Sequence, residues 1–142
     1  MNVKPVIFLT QIVAKELARL GLGGAVVHIS SQSATLPVLD HVVYSSSKAA
    51  VDHVGRIQAL ELGKHGIRVN TIRPGVVTTP LSLKAWDPAK LDAMRMQAPM
   101  RKLAMPDDVA SAVAWLLSDH AAMITGVCLA VDGGRSMGGV GL

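Results

Sequence analysis

The sequence predicts an α/β domain built on a parallel, doubly wound sheet, and three observations carry that prediction. Stretches with apolar residues at helical spacing alternate with short β-branched runs along the 142 residues, in the order helix, strand, helix, strand, helix, strand. The first β-branched run is apolar on both faces, as a strand covered by helices on either side should be. Glycine or proline punctuates the ends of these segments.

The elements follow in chain order. Val6, Ile7, Leu9, Ile12, Val13, Leu17 and Leu20 recur at helical spacing, so a helix is expected over 6–20, ended by "GLGG". "AVVHISS", Ala25 to Ser31, reads as a buried parallel strand interrupted only by His28. After the small residues of "SQSATLPVLDH", a second helix is expected over about 44–63, with a stripe of Ala49, Val51, Val54, Ile57, Leu60 and Leu62 and "GKHG" closing it. "IRVNTIRPG" is the next strand, stopped by Pro74 and Gly75. The stretch "VVTTPLSLKAWDPAKLDAMRMQAPMRKLAMP" is polar, rich in methionine and broken by prolines, which predicts a mobile loop with short helices. A third long helix starts at "PDDVASAVAWLLSD", with proline and two acids in its first turn. "GVCLAVDGG" is the last strand, and "RSMGGVGL" a flexible tail by composition. Residues 1–142 thus read as a single domain of about three strands with three long helices. A sheet that small has two open edges, so it is expected to be half of a larger one.

Composition narrows the function. Half the residues are hydrophobic and 17% are charged, which suits a well-buried globular chain. The net charge is +4, but Lys and Arg are scattered, and aromatics are only 3%, so no stacking platform for nucleic acid exists. A phosphate-bearing small ligand fits the positive excess. The single Cys128 cannot form an internal disulfide, the usage of a reducing compartment. Neither a signal peptide nor an apolar run long enough for a membrane span is visible, so a soluble cytoplasmic protein is expected. His28, His41, His53, His65 and His120 show no metal-ligand spacing, and no metal site is expected. Trp86 and Trp115 are expected to pack in the loop and the last long helix. The methionines from Met94 to Met105 suit an adaptable lid or core filling.

The chemistry concentrates in "VYSSSKAA", where the only tyrosine, Tyr44, precedes Lys48 by four residues. On a helix the two share a face one turn apart. Alone, that pair would read as a solvated surface. Ser31, however, ends a predicted buried strand thirteen residues earlier, and active sites of open α/β sheets gather at such ends. "RPGVVTTP" brings backbone and threonine hydroxyls to the same rim, and Asn2 opens the first helix. A free phenol releases its proton near pH 10. A neighbouring ammonium favours the phenolate and makes a usable proton relay at neutral pH.

In this arrangement the chain resembles the short-chain dehydrogenase/reductase family along essentially its whole length. Ser31 in "HISSQSA", Tyr44 and Lys48 in "YSSSK", and Asn2 in "NVKP" match the family's catalytic residues. Pro74, Gly75, Val77 and Thr79 match the stretch that lines the nicotinamide, and Gly133 and Gly134 the turn after the last strand. The resemblance implies a Rossmann-like fold, NADP(H) as cofactor and a small carbonyl or alcohol as substrate. It assigns proton transfer to Tyr44, stabilisation of the substrate oxygen to Ser31, the nicotinamide ribose to Lys48 with Tyr44, and a water relay to Asn2. The wording is most similar to the L-xylulose reductase (dicarbonyl reductase) group, which implies NADPH, ketopentose or α-dicarbonyl substrates and a tetramer; 3-oxoacyl carrier-protein reductases share much of it. The helices over 6–20 and 44–63 match the family's four-helix interface, and plain core packing accounts for their stripes equally well.

The family's glycine-rich cofactor fingerprint is not found. "GLGGAVV" at 21–27 follows a helix and precedes a strand, the reverse of a pyrophosphate cradle, and no helix follows "GGVGL". The chain is therefore expected to be the C-terminal catalytic portion of a reductase, lacking the half that selects NADPH over NADH. Two functional expectations follow: a carbonyl reductase, or a non-catalytic fragment that joins full-length family subunits.

Overall fold

The computed structural model describes residues 2–138. Eight elements order the chain: α1 (Val3–Arg19), β1 (Gly24–Ile29), α2 (Val42–Leu62), β2 (Ile67–Pro74), α3 (Pro80–Ala85), α4 (Pro88–Met96), α5 (Pro106–Leu117) and β3 (Cys128–Val131). Each predicted strand and long helix forms, with ends shifted by a few residues. Gly66, at φ +68°, ends the turn after α2 in the left-handed conformation that glycine takes without strain.

The strands form one parallel sheet in the order β1-β2-β3. Gly24 to Ile29 pair with Ile67 to Ile72, and Thr71 to Pro74 with Cys128 to Val131. On one face α1 and α2 close a core of Ala14, Ala59, Ile67 and Val69. On the other, α5 closes a core of Ile72, Leu116 and Ala121, extended by Val27 and Leu129. Both crossovers step the same way across the sheet but lie on opposite faces. They therefore have opposite hands, and one departs from the right-handed rule for such connections.

Under α2 the sheet turns polar toward the C-terminal ends of its strands. Val26 is followed on that face by His28 and Ser30, and Val69 by Thr71 and Arg73. The His28 Nε2 lies 2.7 Å from the Gln58 Oε1, and Gln58 in turn donates to the Val6 carbonyl of α1. Gly55 lets the helix come close: a Cβ there would sit 2.7 Å from the Thr71 hydroxyl.

The predicted helix stripes are corrected by this packing. On α2, Val51 is buried but Ile57 and Leu60 face outward, and the inward face is Val51, Asp52, Gly55, Gln58 and Ala59. Polar residues can be buried there because most of their atoms find partners, which apolar periodicity does not report. On α1, small Thr10 and Ala14 face inward, whereas Leu9 and Ile12 are about two-thirds exposed, 63% and 66%. Trp115, expected to pack, lies on the outer side of α5 and is 43% exposed.

Residues 78–103 form an excursion from the sheet. It leaves and returns at one place, where Val77 bridges Ala104, Ala104 N–H donates to the Val76 carbonyl at 3.0 Å and Thr78 N–H to the Ala104 carbonyl at 2.8 Å. Inside it, Thr79 with Pro80 opens α3 and Asp87 with Pro88 opens α4. Residues 139–142, half of the tail read as flexible and most of the rejected "GGVGL", lie outside the described residues, and Arg135–Met137 form a short 3₁₀ turn. Among the described residues no helix is long and apolar enough to cross a membrane.

Candidate active site

Three elements meet at the C-terminal rim of the sheet: the end of β1 with the turn after it, the first turns of α2, and the segment following β2. The α2 register sets the side chains. Tyr44 and Lys48 stand one turn apart, with the Lys48 Nζ 5.7 Å from the centre of the tyrosine ring. Lys48 reaches across to donate to the Ile29 carbonyl at 2.9 Å, the last residue of β1. Its own carbonyl accepts from the Ser30 hydroxyl at 3.0 Å, so the helix is pinned to the strand end at both sides of the lysine. Burial pushes the Lys48 ammonium below its usual range, and the negative charge of Asp52, one turn on, opposes that shift. The His41 ring meets Tyr44 edge-on at 6.3 Å.

Ser31 follows β1 and caps a short 3₁₀ turn. Its hydroxyl oxygen accepts from the Ser33 N–H at 3.2 Å and the Ser33 hydroxyl at 3.0 Å. With two donors on its oxygen, its own O–H is left to donate. Asn2 stands at the N-cap of α1 without capping it; its amide donates instead to the Ser47 hydroxyl at 2.9 Å, which donates to the Tyr44 carbonyl at 2.7 Å. The start of α1 is thereby tied to the turn that carries Tyr44.

The segment after β2 has clear structural duties. Pro74 ends the strand opposite Val131, and Gly75 N–H donates to the Val131 carbonyl at 2.9 Å. A Cβ on Gly75 would come within 2.9 Å of the Asp132 backbone, so only glycine fits without a shift. Val77 forms the bridge to Ala104, and the Thr79 hydroxyl accepts from the Ser82 N–H at 3.1 Å as cap of α3.

Sequence reading missed three groups here. Asp52 and Arg73 form a buried ion pair, Arg73 Nε to Asp52 Oδ2 at 2.7 Å. Gln32, directly after Ser31, is buried with its Oε1 unpaired, as are the Asp52 Oδ1 and the Ser45 hydroxyl. The i, i+4 step from Lys48 to Asp52 was a visible signal, but Gln32 left none. Among the described residues no His, Cys, Asp and Glu cluster could hold a metal ion.

The donor set suits a nicotinamide nucleotide. Lys48 spends one of its three N–H donors on Ile29, which leaves two for the hydroxyls of a sugar. A phenol, an ammonium and a serine hydroxyl thus gather at the C-terminal rim of the sheet, where open α/β sheets bind their ligands. Comparison with known proteins specifies the arrangement further. Residues 1–136 match the family model described as enoyl-(acyl carrier protein) reductase. The chain is 45% identical to D-erythrulose reductase of Gallus gallus over 135 residues, covering 94% of this chain and 55% of that protein. It is 43% identical to L-xylulose reductase of Mus musculus, again covering 94% and 55%. A solved structure of 7α-hydroxysteroid dehydrogenase complexed with NADH and 7-oxo glycochenodeoxycholic acid superposes with a TM-score of 0.90 at 36% identity, covering 94% of this chain and 52% of that one. The chain belongs to the short-chain dehydrogenase/reductase family, and it spans about half the length of the relatives it matches.

Proposed function

We propose that the chain carries the proton-transfer half of an NADPH-dependent carbonyl reductase acting on L-xylulose-type ketoses and small α-dicarbonyls. The observation supporting this most directly is the Lys48 ammonium set between the Tyr44 ring and the last carbonyl of β1, two residues before Ser31. In this reading the nicotinamide supplies the hydride when bound. Tyr44 hands a proton to the carbonyl oxygen, and Ser31, its own O–H free, donates a hydrogen bond to the same oxygen as charge builds there. Lys48 holds the ribose with its spare donors, and Asn2, through Ser47, steadies the turn of Tyr44 and opens the way for proton resupply. Pro74, Gly75, Val77 and Thr79 form the wall on the nicotinamide side. The preference for NADPH and for small ketoses rests on the likeness to D-erythrulose and L-xylulose reductases, and a cytoplasmic location on the lone unpaired Cys128.

Calorimetric titration of the purified chain with NADPH, followed by assays with L-xylulose and a small α-diketone, tests it. Saturable binding and NADPH-dependent reduction are expected, with Tyr44→Phe losing about 10²- to 10⁴-fold in turnover. Full turnover by Tyr44→Phe overturns it, whereas absence of binding at millimolar cofactor from a folded chain means that these residues are the catalytic half of an enzyme that cannot work without its first half.

A second reading is favoured by the apolar outer surface of α1 and α2, where Leu9, Ile12 and Leu60 are exposed. Such a surface suits helix-to-helix assembly, as a homotetramer or with full-length family subunits. Co-elution with a full-length relative on gel filtration supports that reading; a monomer that never co-elutes rejects it.

A further inference from the structure

We propose that Asp52, anchored by Arg73, is a positioning residue that keeps the Lys48 side chain on the terminal carbonyl of β1 as an ammonium. Tyr44, Lys48 and Asp52 follow one another at four-residue steps, so they line one face of α2. That face lies against the part of the sheet that turns polar, and Asp52 is 3% exposed. Its Oδ2 accepts from Arg73 Nε at 2.7 Å, while Oδ1 is sealed from solvent with no hydrogen-bond partner.

Stability alone does not account for this pair. A buried ion pair gains little over apolar residues of the same volume, because desolvating both charges offsets their attraction. Arg73 occupies only one oxygen of the carboxylate. The Asp52 carboxylate lies in a medium where water does not screen it, one turn from an ammonium that burial disfavours.

The other polar groups around Lys48 cannot replace it. On α2 the neighbours are the Tyr44 phenol and, edge-on to it, the His41 ring. β1 offers the Ile29 carbonyl and the Ser30 hydroxyl, and its His28 is turned to Gln58. β2 contributes Arg73, itself a cation, and the turn after β1 contributes neutral Ser31, Gln32 and Ser33. Asp52 is the anion of this set. The importance of the pair for turnover rests on the reductase reading; its effect on Lys48 does not.

The test is a pH titration of the Lys48 side chain by heteronuclear NMR on the folded, cofactor-free chain, assigned with Lys48→Arg. Asp52→Asn is expected to move the Lys48 midpoint downward, and Asp52→Glu to restore it. Asp52→Asn is repeated on Arg73→Leu, where no guanidinium is left to act on Lys48 in place of the pair, and measured against Arg73→Leu it is again expected to lower the midpoint. An unchanged midpoint in whichever charge-removing variant is folded overturns the proposal, as does failure of a folded Asp52→Glu to restore it. Reductase turnover unchanged by Tyr44→Phe would count against the functional reading and leave the Lys48 midpoints to decide this one.

Discussion

The two faces of the sheet are built from the same three strands by opposite rules. Beneath α5 the polar groups come first: Arg68 and buried Asn70 of β2 donate to the carbonyls of Leu116 and Ile124, and toward the C-terminal ends the contacts become apolar, Ile72 with Leu116 and Ala121. Beneath α2 the strands begin with Val26, Ile67 and Val69 and turn polar at His28, Thr71 and Arg73, with Ser30 just past β1, while Asp52 and Gln58 come down from the helix to meet them. The α5 face stabilises the fold through burial. The α2 face gives up part of that gain to hold charged and hydrogen-bonding groups in fixed positions next to Tyr44 and Lys48.

The largest effect expected to separate the faces comes from Asp52→Ala, which strands the Arg73 guanidinium and should cost about 3–5 kcal/mol in urea unfolding. Adding Arg73→Leu should recover most of it. If the double variant stays as unstable as the single one, the pair contributes to stability outright and the contrast between the faces fails. On the other face, Leu116→Ala removes a fully buried side chain and should cost about 2–5 kcal/mol, with no partner substitution able to restore it. Gly55→Ala pushes a methyl group toward Thr71 and His28 and should cost about 1–3 kcal/mol. Should it prove neutral in the same urea experiment, α2 can lift from the sheet without loss and its grip on the polar face is loose.

The smallest effect is in pH dependence. Burial holds the His28 imidazole below its usual range, against the pull of Gln58. As pH falls below the unfolded value of about 6.5, the unfolded chain takes up the proton first, so stability drops until the folded pKa is passed. Above the unfolded value this group adds no slope. Urea midpoints measured on either side of about pH 6.5 should differ in wild type and differ less in His28→Gln. Equal slopes in both would mean that His28 takes up its proton alike in the folded and unfolded chain, so that burial does not hold it neutral.

The strands and long helices were legible because apolar spacing and glycine or proline stops report burial and termination directly. Ser31, Tyr44 and Lys48 were legible because their spacing along the chain becomes proximity once one strand and one helix form. The buried face of α2 was not, since Asp52 and Gln58 look like surface residues until their partners Arg73 and His28 are brought over from the sheet. Nor could the spacing tell that Leu9 and Ile12 on α1 would point away from the core, because an outward apolar stripe and an inward one have the same period. The opposed hands of the two crossovers were likewise out of reach, since periodicity does not say on which face of a sheet a helix lands.

The bridge between Val77 and Ala104 makes the excursion over 78–103 an exchangeable cassette. Its two ends are fastened to each other and to the sheet before any residue of α3 or α4 is specified. Doubling the length between such fixed ends costs only about 0.6 kcal/mol in closure entropy. Selection, or a designer, can therefore rewrite α3 and α4 while leaving strand register, core and the rim residues Ser31, Tyr44 and Lys48 as they are.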